Sequence, residues 1–182
     1  PLILIFLAYY SKWYKYYEVN GVREFQKDRG ETFAGPSAGS FVLAVQDAVI
    51  AAENAVIAAE SLGIGSCYIG DIMEQKEYHK TLFNLPEYVF PVAMLTLGYY
   101  PEDYMVPLKE RFAEKYVVFE ERYNELSKED IDDMFRKRDQ LFTAKNKYNA
   151  KNYAQMHYNF KVKAPFYKEM QRSVEEGIKK KL

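Results

Sequence analysis

An α+β domain is the fold class that this sequence predicts, and three observations predict it. Residues 1–8, 64–69 and 89–97 are apolar runs with the length and branched content of strands. Residues 41–62 carry the periodicity of one long helix. After Ser127 the chain reads as helical or irregular. At 182 residues and 21.4 kDa it is sized for a single domain, 1–182, and it shows no linker, internal repeat or low-complexity tract.

Composition narrows the class. Apolar residues make up 48% and charged residues 28%, which excludes a disordered chain. The 17 Tyr and 12 Phe supply both core volume and flat surfaces suited to a ring-shaped ligand. One cysteine forms no internal disulfide, and a reducing, cytoplasmic setting is expected. Two distant histidines argue against a metal centre, so no metal is expected.

The elements follow in order. Residues 1–8 are apolar without alternation and read as a strand buried on both faces. They are too short to span a bilayer and lack the basic flank of a signal peptide. Buried strands seldom open a domain, so the chain is expected to start within one. Residues 9–17 are Tyr-rich and short-helical, Asn20-Gly21 is a turn, and the charged residues 23–31 lead into Gly35-Pro36-Ser37-Ala38-Gly39-Ser40, a loop ending in candidate N-caps.

Within residues 41–62, 16 of 22 are apolar, and the polar ones fall as Gln46-Asp47, Glu53-Asn54 and Glu60-Ser61, seven residues apart. A helix apolar over most of its circumference needs cover on several sides, for which a second subunit is expected. Its three carboxylates argue against a membrane span. Gly63 caps it. The strand 64–69 closes at Gly70-Asp71, a polar helix covers about 74–83, and the strand 89–97 ends in the Gly98-Tyr99-Tyr100-Pro101 turn. Residues 116–119 form a short apolar piece. Ser127 caps a helix to about Lys145, with Asp130 completing a capping box, and Pro165 opens the last helix.

Charge is unevenly spread. Residues 136–182 hold 13 Lys+Arg against 4 Asp+Glu, a balance of +9, and residues 1–135 hold the other 12 and 22, a balance of −10. A solvated basic face accounts for this, as does attraction of an anionic ligand or an acidic partner surface. No nucleic-acid-binding motif accompanies it.

Familiar catalytic patterns are missing: there is no P-loop, GxGxxG, HExxH or nucleophile elbow. Cys67 reads as a structural thiol in a buried strand, and His79 and His157 as surface or packing residues. The residues thus describe a binding domain, or one in which a cofactor does the chemistry and no side chain is catalytic.

Residues 47–71 are more telling. Asp47-Ala48-Val49-Ile50-Ala51-Ala52-Glu53-Asn54, then Ala58-Ala59-Glu60-Ser61-Leu62-Gly63-Ile64-Gly65-Ser66-Cys67-Tyr68-Ile69-Gly70-Asp71, resembles the central helix, strand and loop of FMN-dependent nitroreductases. The resemblance continues through Leu85-Pro86 and Leu97-Gly98-Tyr99-Tyr100-Pro101 to Lys109-Glu110-Arg111, which is similar to the family's basic pair ahead of its closing strand. It covers roughly residues 1–123 and is firmest over 47–111, leaving 124–182 as a variable helical C-terminal part.

The resemblance implies a three-layer αβα sandwich with a mixed, largely antiparallel sheet, built as a homodimer with FMN at the interface. It implies ping-pong hydride transfer from NAD(P)H through flavin N5 to a nitroaromatic, quinone or flavin. Tyr68, Ile69, Gly70 and Asp71 are then expected beside the flavin ring, and Lys109 and Arg111 on its phosphate. No nucleic acid or membrane partner is implied. The family's N-terminal segment, with an Arg-rich phosphate site and a Pro-Ser loop, has no counterpart here. Pro36-Ser37 is only an echo of that loop, and a protein of only these 182 residues is expected to be flavin-poor and inactive. A flavin-binding protein without turnover and an interaction domain with a basic contact surface are the alternatives.

Overall fold

In the computed structural model, which describes residues 1–105 and 107–179, the elements in chain order are β1 (Leu2–Tyr9), α1 (Lys12–Val19), α2 (Val22–Asp28), α3 (Ala38–Ser61), β2 (Gly65–Ile69), a 3-10 turn at Gly70–Met73, α4 (Lys76–Leu82), β3 (Val89–Gly98), a 3-10 turn at Glu114–Tyr116, α5 (Lys128–Asp139), α6 (Tyr153–Lys161) and α7 (Pro165–Ile178). They form two compact units, one of Pro1–Glu102 with the stretch from Lys168, the other of Asp103–Tyr167.

The first unit holds the sheet, ordered β1-β3-β2 and antiparallel at both pairings, as the largely antiparallel expectation required. Pro91 lies in the middle strand and has no N–H to donate. The ladder yields at that point: Phe6 faces Ala93 and Leu7 faces Pro91, leaving Val92 as the extra residue of a bulge. β2 pairs with β3 only from Met94 to Gly98, away from the proline.

The long helix is fixed locally at both ends. Ser37 Oγ accepts the Ser40 N–H at 3.3 Å and the Ser37 N–H donates to Ser40 Oγ at 3.4 Å, a capping box built from two serines. At the other end Gly63 takes φ 71°, its N–H donates to Glu60 O, and the Ile64 N–H donates to Ala59 O, both at 2.9 Å. Between these caps α3 lies across β1 and β3. Phe41 and Ala48 join Ala8, Phe90 and Val92 in the core, with Tyr10, Met73 and Val174 packed at its margin.

Only Phe41, Ala48, Ala52 and Ala59 of α3 are buried, whereas Val42, Leu43, Ile50 and Ile57 are each more than half exposed. The small alanines let the helix approach the sheet closely, and the larger apolar side chains remain uncovered within this chain. By length and composition only, α3 is also long and apolar enough to cross a membrane, a test that the core helix of a soluble protein passes as well. Its carboxylates are spaced too widely to exclude that on composition alone.

Several local expectations are corrected. β1 is an edge strand with only Ala8 buried, not a strand covered on both faces. Residues 23–28 of the charged stretch belong to the helix α2, with the Arg23–Glu18 pair at 3.0 Å beside it. The polar helix near residue 74 is divided between the 3-10 turn and α4, with Gln75 left-handed at φ 48° between them. The short apolar piece 116–119 follows directly on a 3-10 turn at Glu114–Tyr116, where Tyr116 is buried and donates a hydrogen bond to Asp133.

In the second unit the Ser127–Asp130 capping box forms, with the Ser127 N–H donating to Asp130 Oδ2 at 3.0 Å. α5 ends at Asp139 rather than near Lys145. Phe112 packs edge-on against Phe135 at 5.3 Å, with the Arg138 guanidinium over the Phe112 ring at 4.9 Å.

Gly177 of α7 offers a direct test of the packing in the first unit. A Cβ there would lie 3.0 Å from Phe90 Cδ2, and Phe90 is fully buried. Overpacking a core costs about 1–3 kcal/mol, against about 1 kcal/mol gained in helix propensity. Gly177→Ala should therefore lower the urea midpoint of the protein. A raised midpoint would show that the Phe90 ring yields.

Candidate functional site

The loop that leaves β2 gathers four of the residues expected to hold a ligand. Tyr68 and Ile69 end the strand, and Gly70 and Asp71 open the 3-10 turn. The Tyr68 hydroxyl donates to Glu53 Oε2 of α3 at 3.3 Å. Burial first, then the Glu53 charge, raises its pKa above the ordinary phenol value. Tyr68 thus ties the strand to the long helix through its own side chain.

Gly70 and Asp71 are both exposed. The Gly70 backbone is not left-handed, and a Cβ placed on it would meet no atom within 4 Å. Nothing inside this chain therefore requires glycine there. The missing side chain leaves clearance for something else to approach the backbone, as a flat ring would. Beneath the turn Ile72 is buried, and the Glu74 N–H closes back on Asp71 O at 3.0 Å.

Charged groups crowd the segment that follows. Arg172 of α7 donates to both oxygens of Glu77, at 3.2 and 2.8 Å, and to both oxygens of Glu169, at 2.8 Å each. The hydrogen bond from Arg172 is the main reason that the Glu77 carboxyl is held down to about 2, and the same guanidinium lowers Glu169. Glu74 moves the other way, raised first by burial and then by the charges of Asp71 and Glu169.

Lys109 and Arg111 belong to the second unit. Glu110 between them is neutralised by Lys137, whereas neither Lys109 nor Arg111 has a carboxylate partner among the described residues. Arg111 borders a cleft of about 370 Å³ that also involves Phe112, Tyr116, Arg136 and Arg138. Arg136 pairs with Asp133 and Arg138 stacks on Phe112, so Arg111 is the free cation of that cleft among the described residues.

The other candidates stay in supporting roles. Cys67, expected to be buried, is exposed on β2. His79 stacks on Phe83 at 6.0 Å with its Nδ1 buried and unpartnered, and His157 stacks on Tyr153 at 5.6 Å. No cluster of three or more metal-ligating side chains occurs among the described residues. Sequence reasoning missed Glu53 and Arg172. Glu53 is marked only by its place on the polar stripe of α3, and Arg172 carries no local signal.

A long alanine-faced helix laid on an antiparallel sheet, with a glycine-opened turn at the end of the neighbouring strand, defines a nitroreductase-like α+β protein. The model of the nitroreductase family matches residues 3–99, just over half of the 182 residues, and the chain belongs to that family. A curated relative, the Cr(VI) reductase of Pseudomonas sp. (strain G-1), is 38% identical over 72 residues, a match that spans 40% of this chain and 30% of that protein's length. Among solved structures, NfrA2 of B. megaterium is similar with a TM-score of 0.72 at 30% identity, covering 99% of this chain and 69% of the other. NfrA1 nitroreductase from B. subtilis gives 0.69 at 22% identity over 96% and 69% of the two chains. The NADPH:FMN oxidoreductase of Vibrio harveyi, complexed with NAD+, gives 0.65 at 21% over 96% and 66%. These last two likenesses establish the fold.

The acid behaviour of the Arg172 network can be measured. Glu77, held at about 2 in the folded protein against 4.5 unfolded, contributes stability that is complete above pH 4.5 and is lost as the pH falls through about 2. Glu169 acts in the same sense. Glu74, raised, acts in the opposite sense, its contribution present below 4.5 and lost as the pH rises through its folded value. Between pH 4.5 and 2 the melting temperature of the parent should fall more steeply than that of Arg172→Ala. Parallel curves would mean that the network does not persist in solution.

Proposed function

We propose that this chain is the flavin-binding part of an FMN-dependent oxidoreductase that takes electrons from NAD(P)H and delivers them to a small acceptor such as a nitroaromatic, a quinone or free flavin. The observation that carries this reading is the family match over residues 3–99. The clearance at Gly70 and the two uncompensated cations Lys109 and Arg111 support it.

Bound FMN supplies reversible hydride transfer, and the chain's own residues supply binding and orientation. The backbone at Ile69, Gly70 and Asp71 would hold the ring of a bound flavin, and its N–H groups would donate to negative charge there. Tyr68, fastened to Glu53, fixes the strand end that delivers them. Lys109 and Arg111 would hold a phosphate, Arg111 by its fork and Lys109 as a point charge. No side chain serves as catalytic acid or base, and no metal takes part. A reducing, cytoplasmic setting suits the exposed thiol of Cys67. An absorbance spectrum tests the whole reading. The purified full-length protein that carries this chain should be yellow and should bleach with a reduced nicotinamide. A yellow solution indifferent to both nicotinamides would indicate a flavin-binding protein without turnover, and a colourless one would overturn the reading.

Two measurements refine it. Arg111→Ala removes a charge-assisted hydrogen bond of about 1.5–3 kcal/mol, so the FMN dissociation constant should rise roughly tenfold to a hundredfold. Riboflavin, which has no phosphate, should bind parent and variant alike. Equal losses for both ligands would make Arg111 a structural residue.

The uncovered apolar side chains of α3 supply the second. Val42, Leu43, Ile50 and Ile57 form the seam of a homodimer, since obligate interfaces resemble a domain core cut in half. Sedimentation at micromolar concentration should show no appreciable monomer. A stable folded monomer would remove this part of the proposal.

A further inference from the structure

The turn Gly70–Met73 is held from both sides. On its N-terminal side Ile69 pairs with Met94 in the sheet. On its C-terminal side residues 75–77 are fastened to α7. The Gln75 N–H donates to Glu169 Oε1 at 3.2 Å, the Lys76 N–H to Ser173 Oγ at 3.0 Å, and Lys76 Nζ to Glu176 O at 2.7 Å. Arg172 grips both oxygens of Glu77 and buttresses Glu169.

Residues 169, 172, 173 and 176 follow one another at helical spacing along a single stripe of α7. That stripe is itself seated. Ser173 is fully buried, Val174 packs on the core, and the Tyr10 hydroxyl donates to Gly177 O at 2.7 Å. Gln75 adopts a left-handed φ of 48°, which a non-glycine residue rarely takes without external support, and its N–H is one of the bonded groups.

We infer that Glu169, Arg172 and Ser173 of α7 are positioning residues for the turn Gly70–Met73, setting where the Gly70 and Asp71 backbone is presented to the ligand. They touch no ligand themselves and act through Gln75, Lys76 and Glu77. A turn of four residues pinned at both ends has little room to drift, and ligand affinity at its backbone depends on that fixity. The inference deepens the flavin reading of the same turn and rests on it.

The test uses the intact protein with Ser173→Ala, Glu169→Ala and Glu169→Gln. Ser37→Ala, which removes the α3 cap elsewhere in the first unit, serves as a control for lost stability. Native-state hydrogen exchange of the Glu74 amide, which closes the turn onto Asp71 O, should speed about tenfold in Ser173→Ala and Glu169→Ala, and should stay near the parent rate in Ser37→Ala. Glu169→Gln keeps an acceptor oxygen for the Gln75 N–H and should restore slow exchange. Dissociation constants for FMN and riboflavin should rise by the same factor, about tenfold, because the ring end is affected and the phosphate end is not. The visible spectrum of the bound flavin should shift in the same variants. Unchanged exchange in folded Ser173→Ala and Glu169→Ala overturns the inference. Faster exchange with parental affinities and spectrum overturns it too, leaving α7 a purely structural clasp. A parent that binds neither FMN nor riboflavin overturns the flavin reading itself, and the exchange data tell these failures apart.

Discussion

The ring of Phe90 meets Phe41 edge-on at 5.8 Å and lies directly beneath Gly177, so the central strand, the long helix and the C-terminal helix all pack against one side chain. Ala8 of β1 completes the contact and is itself fully buried. Such a ring works by shape: its faces and edge are occupied by different elements, and none of them can move without opening a void. Gly177 is the residue that makes room. Because α7 can settle this closely, its next turn back brings Ser173 and Arg172 within reach of Lys76 and Glu77.

The same closeness explains what is left over. α3 meets the sheet through alanines at 48, 52 and 59, and small side chains bring backbones together without covering the flanks of the helix. The larger apolar residues therefore remain uncovered by the sheet among the described residues. The expectation that β1 is buried on both faces fails for a related reason. A strand at the edge of three, paired on one side only, has too few neighbours within the chain to cover it.

What was legible in the sequence was mostly local. Ser37, Gly63, the Ser127–Asp130 box and the start at Pro165 were readable because a cap or a break is specified by residues within one helical turn. α2 was not, since residues 22–28 have little apolar periodicity and depend on pairs such as Arg23 with Glu18. Residues 116–119 read only as a short apolar piece, and the hydrogen bond of Tyr116 to Asp133, a partner seventeen positions away, had no local signal. The basic excess of the C-terminal region suggested a solvated face or an external partner. Arg172 is divided between Glu77 and Glu169, and Lys137, Arg136 and Arg138 are each engaged nearby, while all four side chains stay exposed as a solvated face requires. Lys180 and Lys181 lie outside the described residues.

The candidate site divides along the same line. Tyr68 to Asp71 form one contiguous stretch, so a resemblance in sequence carries directly into a shared place in the fold. Lys109 and Arg111 needed a fact that spacing cannot supply: whether the glutamate between them neutralises either one. In the structure Lys137 occupies Glu110, which leaves neither cation a carboxylate partner among the described residues. A basic pair becomes a phosphate site only when its own neighbours decline to pair with it, and that is decided by tertiary contacts rather than by motif. The hold of α7 on residues 75–77 was the least legible of all, because partners more than ninety positions apart leave no trace in any local window. What fastens a binding loop is thus harder to read from sequence than the loop itself, since the loop's chemistry is written in its own residues and its position is written in someone else's.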